Sequence, residues 1–210
     1  MKSECHIVTN AALVSSCETF KIALKELLGE KSAGCNLVLS TESLFSAEEK
    51  CHKDIDLLIF SWPTHPADLV ISIELLSKIR ERYPNLMIMV MIEDCIAYLI
   101  SSLKLLKIDT IISQKASLKE WRRLINLAKQ GKGGCCQLVA EAVEMAPNVD
   151  SMKRNELILL SYIANGIPIK NIADLMCREI KTIKMRKSHA MRKLGIHNYA
   201  ELVSLKSILI

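Results

Sequence analysis

Two stretches of this chain carry residue types that could do chemistry. The first lies between Lys181 and Lys193, where Lys181, Lys184, Arg186, Lys187, Arg192 and Lys193 crowd together. At the helical period, Ile183, Lys187, Ala190 and Leu194 fall on one side. Lys181, Met185, Ser188 and Arg192 fall on the other, with Lys184 and His189 at its margins. A helix with a packed back and a cationic front suits the major groove of DNA: lysines reach phosphates or guanine edges, and Met185 can touch a thymine methyl. The same spacing also describes a solvated, lysine-rich helix face. Residue types alone leave both readings open.

The second stretch is DLLIFSWP, residues 56–63, in which an apolar run stops on Ser61. In parallel sheets, chemistry sits at the carboxyl ends of the strands, where Ser61 falls. A hydrolase centred on it is not expected, because its surroundings are not G-x-S-x-G and no motif places a His/Asp pair. No enzymatic activity and no cofactor are expected. The five histidines show no metal-ligand spacing, and Cys135-Cys136 is adjacent rather than C-x-x-C, so no metal site is expected either.

The elements that position these residues follow from hydrophobic periodicity. Strands are predicted at 5–9, 36–40, 55–60, 86–92 and 109–113. Helices are predicted at 18–28, 43–50, 67–83, 95–104 and 117–129. Strands alternating with helices imply a five-stranded parallel sheet with helices on both faces, an α/β fold, over residues 1–130. GKGGCC at 131–136 opens a predicted linker to 150, in which QLVAEAVEM could add a helical turn or two. From 151 to 210 the pattern is helical throughout, with helices predicted at 151–164, 168–176, 180–194 and 199–209. Four short helices with tight glycine turns fit an all-α helix-turn-helix domain.

Charge divides along the same line. Residues 1–150 hold 17 Lys+Arg and 19 Asp+Glu, while residues 151–210 hold 11 and 4. A basic tail on a near-neutral body points to a polyanion partner, double-stranded DNA first. No apolar run is long enough to span a bilayer, and no basic region precedes a long apolar one at the N-terminus. The eight scattered cysteines then read as reduced thiols, and the expected location is the cytoplasm, away from membranes.

The residues from Ile163 to Val203 closely resemble the LuxR/FixJ (NarL-type) helix-turn-helix of bacterial transcription regulators. The shared pattern is Glu156, Ile163-Ala164-x-Gly166, Lys170-x-Ile172-Ala173, Thr182-Ile183-Lys184, Arg192-Lys193-Leu194-Gly195, and Asn198 followed by Glu201-Leu202. The resemblance implies that Lys184, Met185 and Ser188 read bases while Lys181, Thr182 and Lys193 hold phosphates. Arg186 and Arg192 add charge to the same face. Two positions depart from the family: Glu179 stands where a serine usually caps the recognition helix, and Arg186 where a histidine is common.

The first domain resembles a receiver, the usual companion of this helix-turn-helix in response regulators. A working receiver needs a carboxylate after the third strand as phosphoacceptor. It also needs an acid pair after the first strand for Mg²⁺, a hydroxyl after the fourth and a lysine after the fifth. By this alignment Ser61 stands at the acceptor, Thr9-Asn10 at the acid pair, Met91 at the hydroxyl, and Gln114 or Ser113 at the lysine. The expectation is a pseudo-receiver that takes no phosphate, joined to a DNA-binding domain that regulates transcription. It would work as a homodimer or as a heterodimer with another response regulator. The alternative is a module that docks on another regulator and titrates it without reading DNA. The apolar stretch 95–108 is either packed on the sheet or a dimer surface.

Overall fold

The computed structural model describes residues 9–30, 34–50, 54–62, 66–93, 95, 99–100, 103–104, 106–144, 153–164 and 166–193. Its centre is a six-stranded, all-parallel sheet in the order β2-β1-β3-β4-β5-β6. The strands are β1 (Thr9–Val14), β2 (Cys35–Thr41), β3 (Leu57–Ser61), β4 (Met87–Ile92), β5 (Thr110–Ser113) and β6 (Gly134–Cys135). β3, β4 and β5 are buried almost end to end, which is why they read as unbroken apolar runs rather than alternating ones. β2 alternates half-buried with exposed residues, as an edge strand does.

The helices of this part are α1 (Glu18–Gly29), α2 (Leu44–Lys50), α3 (Pro66–Arg82), α4 (Leu118–Lys129) and α5 (Gln137–Glu144). The order steps outward from β1 to β2 and back across β1 to β3. Right-handed crossovers therefore put α1 and α2 on opposite faces. α1 and α4 share a face: Phe20 tilts against Trp121 with ring centroids 5.8 Å apart, and Arg122 grips Glu30 through two hydrogen bonds of 2.7 and 2.9 Å. α4 begins with a reciprocal cap, Ser117 accepting from the Glu120 N–H while the Glu120 carboxylate accepts from the Ser117 N–H. Across the amino edge of the sheet, the Arg80 guanidinium donates to the carbonyls of Pro84 and Leu86 and to the Asp109 carboxylate, which also accepts from the Ile88 N–H. That clamp joins the end of α3, the turn into β4 and the approach to β5.

Packing divides the chain into two compact units: residues 1–62, 78–93 and 108–138, and residues 63–77, 94–107 and 139–210. In the second, Leu99, Ile100, Leu103 and Leu106 of the apolar stretch are buried. The same unit holds α6 (Arg154–Ala164), α7 (Ile169–Leu175) and α8 (Ile180–Lys193). The predicted fourth helix, 199–209, lies outside the described residues.

Two expectations need correction. The first strand is TNAALV, not CHIVT, whose first four residues are themselves outside the described set. Its small residues, Ala11 and Ala12, carry little hydrophobic signal yet are wholly buried at the sheet centre. The second correction is a sixth strand inside the stretch read as the start of a linker. A two-residue strand shows no period. It is held by the Gly134 N–H to the Asp109 carbonyl and the Cys136 N–H to the Ile111 carbonyl.

Gly133 makes that strand possible, since a Cβ there would meet the Asp109 carbonyl oxygen at 2.2 Å. Gly133→Ala should therefore peel β6 from the sheet at a cost of about 1–3 kcal/mol. Amide exchange checks it. The Cys136 N–H should lose protection in the variant, and unchanged protection would show that the backbone absorbs the methyl.

Candidate nucleic-acid interface

α6, α7 and α8 form a three-helix cluster built on Ile158, Leu159, Leu160, Ile163, Ile172, Ala173, Ile183, Ala190 and Met191, all buried. Their turns explain the angles between them. The Ile167 N–H reaches the Tyr162 carbonyl and the Gly166 N–H the Ile163 carbonyl, with Gly166 at φ 74°. This is the left-handed close that glycine permits after a helix. Pro168 then leads into α7. The turn from α7 to α8 repeats the motif, the Arg178 N–H reaching the Ala173 carbonyl, but with Cys177 in the left-handed position at φ 49°. A side chain there is strained, so the surrounding contacts hold the turn rather than the residue's own preference.

α8 has the two-sided character its spacing implies. Ile183, Ala190 and Met191 are its buried back. Lys181, Lys184, Met185, Ser188 and Arg192 are exposed, Met185 at 67%. Thr182 and Arg186 are half-buried at the edges of that face. The Ser188 hydroxyl donates to the Lys184 carbonyl at 3.2 Å, one turn back. Exposed cations around an exposed thioether give a surface that can meet phosphates at its rim and base edges at its centre.

Lys193 stands apart. Its ammonium donates to Glu156 Oε2 at 2.8 Å, and its side chain is only 16% exposed. The same oxygen accepts from the Lys153 N–H at 2.8 Å, while Oε1 lies 3.0 Å from His189 Nδ1. Glu156 thus ties the start of α6 to the last two turns of α8. Burial alone would raise its pKa. The Lys193 ammonium, the Lys153 N–H and His189 outweigh that and hold the carboxyl below the usual range. The expected phosphate role of Lys193 is therefore set against a committed internal partner. The cluster itself is absent from the spacing argument, although a signal for it exists. Glu156 lies three, four and seven residues before Leu159, Leu160 and Ile163, on the apolar stripe of α6, where a carboxylate needs a partner.

At the carboxyl edge of the sheet, Ser61 ends β3 beside Met91 of β4, and the Trp62 N–H donates to the Met91 carbonyl. Thr9-Asn10 does not reach this edge, because it opens β1 at the opposite end. The residues after β1 are Ser15 and Ser16, one step beyond the paired Val14 and Phe60. Ser15 is buried, and its hydroxyl accepts from the Cys17 N–H. Met91 is fully buried, and Ser113 ends β5, also buried, with its N–H on the Cys136 sulfur at 3.3 Å. Mg²⁺ takes hard, anionic oxygens in a near-octahedral set. Ser15, Ser16 and Ser61 offer neutral hydroxyls instead, so these residues do not fit the metal of a working receiver.

The model of the luxR family of bacterial regulatory proteins matches residues 150–206. Over 210 residues, 96% of this chain and 90% of the relative, the sequence is 25% identical to the transcriptional activator protein BglJ of Escherichia coli. The Fimbriae Z protein of Salmonella typhimurium is 36% identical over 52 residues, a quarter of each chain. Among solved structures, RcsB of Salmonella enterica serovar Typhimurium bound to promoter rprA superposes with a TM-score of 0.70 at 20% identity, covering 95% of this chain and 98% of that one. A further structure of the Salmonella typhimurium RcsB response regulator gives 0.68 at 22% identity, covering 96% and 98%. The fold is that of a receiver-like sheet followed by a LuxR-type helix-turn-helix domain.

Proposed function

We propose that this LuxR-type, DNA-binding transcription regulator works without phosphoryl transfer to its receiver-like domain, and that it binds its sites as a dimer. The partner is a second copy or another response regulator. The observation that carries the first part is the carboxyl edge of the sheet. Ser61, Ser15 and Ser16 leave neither an acceptor carboxylate nor a metal-binding acid pair. The second part is supported by the size of the reading surface. One recognition helix spans only a few base pairs, so useful specificity needs two copies.

In this reading Lys184, Met185 and Ser188 face base edges, and Lys181, Thr182, Arg186 and Arg192 hold phosphates. Residues 1–130 act as the regulatory and dimerisation domain and residues 151–210 as the reading domain. Strand β6 and helix α5 occupy the stretch between them. A similar-length relative is named a transcriptional activator, which supports a regulatory role rather than a catalytic one.

A footprint on genomic fragments tests the dimer. Protection should cover two half-sites about 10 bp apart, one helical turn. Protection of a single half-site by a demonstrated monomer contradicts it, and no sequence preference at all favours the titrating module. Acetyl phosphate with Mg²⁺ tests the receiver-like edge. The intact mass should not change and DNA affinity should stay constant. Ser61→Asp alone should remain unphosphorylated, because Ser15 and Ser16 still offer no anionic ligand for the metal. One added phosphoryl group, mapped to the sheet unit and tightening DNA binding, would overturn the proposal.

A further inference from the structure

His189 is a titratable side chain that the reading of α8 leaves unused. Its ring is 56% exposed, yet one nitrogen is anchored: Nδ1 lies 3.0 Å from Glu156 Oε1, and Glu156 is only 10% exposed. Glu156 is held ionised by Lys193 and the Lys153 N–H, despite its burial. An ionised carboxylate only accepts hydrogen bonds, so the proton between the two groups sits on Nδ1. That leaves Nε2, on the opposite edge of this half-exposed ring, as an acceptor while the ring is neutral. Around α8, His189 is displaced by about 40° from Met185 and about 60° from Arg192, so it borders the DNA-facing surface.

We infer that Glu156 positions His189 with its Nε2 edge turned toward bound DNA, where the ring takes up a proton and donates to a backbone phosphate. The inference rests on the DNA-binding reading above. A neutral Nε2 presents a lone pair to a phosphate oxygen, which repels it. The protonated ring presents an N–H and a positive charge, and Glu156 balances that charge from behind. DNA binding is then linked to uptake of one proton per ring. The other charged or titratable groups on the packed elements, among the described residues, are these. Arg154, Glu156 and Tyr162 lie on α6 with Lys153 ahead of it, Lys170 and Asp174 on α7, Cys177, Arg178 and Glu179 in the turn between α7 and α8, and Lys181, Lys184, Arg186, Lys187, Arg192 and Lys193 on α8. Carboxylates, lysines, arginines and tyrosine ordinarily titrate outside the range between about pH 6 and pH 8, and the thiols and the α-amino group, which border it, are unchanged in the His189 variants, so the difference between parent and variant reports on this ring.

The experiment uses the full chain and a labelled mixed-sequence duplex at fixed ionic strength, since a phosphate contact does not depend on sequence. The parent should bind about fivefold to tenfold more tightly near pH 6 than near pH 8. His189→Gln should keep the affinity of the parent near pH 8 and lose most of the gain near pH 6. The other histidines remain in that variant, so the difference isolates this ring. His189→Lys, charged throughout, should bind near pH 8 about as tightly as the parent does near pH 6. Calorimetry in two buffers of different ionisation enthalpy should show proton uptake by the parent and less by His189→Gln. A purely structural His189 would leave the pH slope in place, and that result overturns the inference while the DNA-binding reading stands. Failure of the parent to bind DNA at either pH overturns both.

Discussion

Replacing Glu156 by Ala lowers the stability of the helix-turn-helix domain by about 2–4 kcal/mol and takes DNA binding with it. The carboxylate is a buried hub: it accepts from the Lys193 ammonium and the Lys153 N–H, and it holds His189. Its loss takes an anion from the little-exposed Lys193 ammonium and removes the link between α6 and the last turns of α8. A cluster of three short helices has little core to absorb such a loss. Lys193→Ala should damage the same tie from the other side, leaving the carboxylate short of its cation. Its binding defect would then track the lost fold rather than a lost phosphate contact.

The acid limb gives an independent check. Because the folded-state pKa of Glu156 is depressed, its contribution is fully present above the unfolded carboxylate value. It is lost as pH falls through the lower folded value. Glu156→Gln should therefore be less stable than the parent near neutrality, and its melting temperature should fall less steeply below the ordinary carboxylate range. Parallel melting curves for parent and variant across that range would show that the carboxylate is not a stabilising hub.

Lys184→Ala should weaken binding to the preferred sequence by about 1–3 kcal/mol, the value of one good base contact, while barely changing binding to other sequences. Lys184 is exposed on α8, next to the exposed Met185. Lys181→Ala is the matched control at the start of the same helix. Loss of one phosphate contact should weaken all sequences alike and flatten the salt dependence by about one unit of log–log slope. Titrations over a salt series on selected and mixed-sequence duplexes separate the two. If Lys184→Ala loses affinity equally on both, the residue holds phosphate and the base-reading assignment is wrong. If neither variant differs from the parent, α8 is not the reading helix.

Much of this was legible in the order of residues. β3, β4 and β5 announce themselves because a strand buried on both faces must be apolar throughout. α8 is legible because a helix packed on one side must repeat its apolar residues at Ile183, Ala190 and the positions between the cations. Serine at 61 is also a fact of the sequence, and the proposal that the sheet edge takes no phosphate starts from it.

Other features needed the folded chain. β1 is built on Ala11 and Ala12, whose burial comes from their place between β2 and β3 and not from their own hydrophobicity. Its shift exchanged Thr9-Asn10 for Ser15-Ser16 at the carboxyl edge, since strand ends are set by register against neighbours. β6 exists because Gly133 lets the backbone close on Asp109, a contact across 24 positions of sequence that no local period encodes. The Glu156 hub joins residues 33 and 37 apart. The order of residues supplied a carboxylate on an apolar stripe and a lysine on a basic helix. Only the crossing of α6 and α8 decided that the lysine would turn inward, because an unpaired buried charge costs more than one fewer cation on the surface.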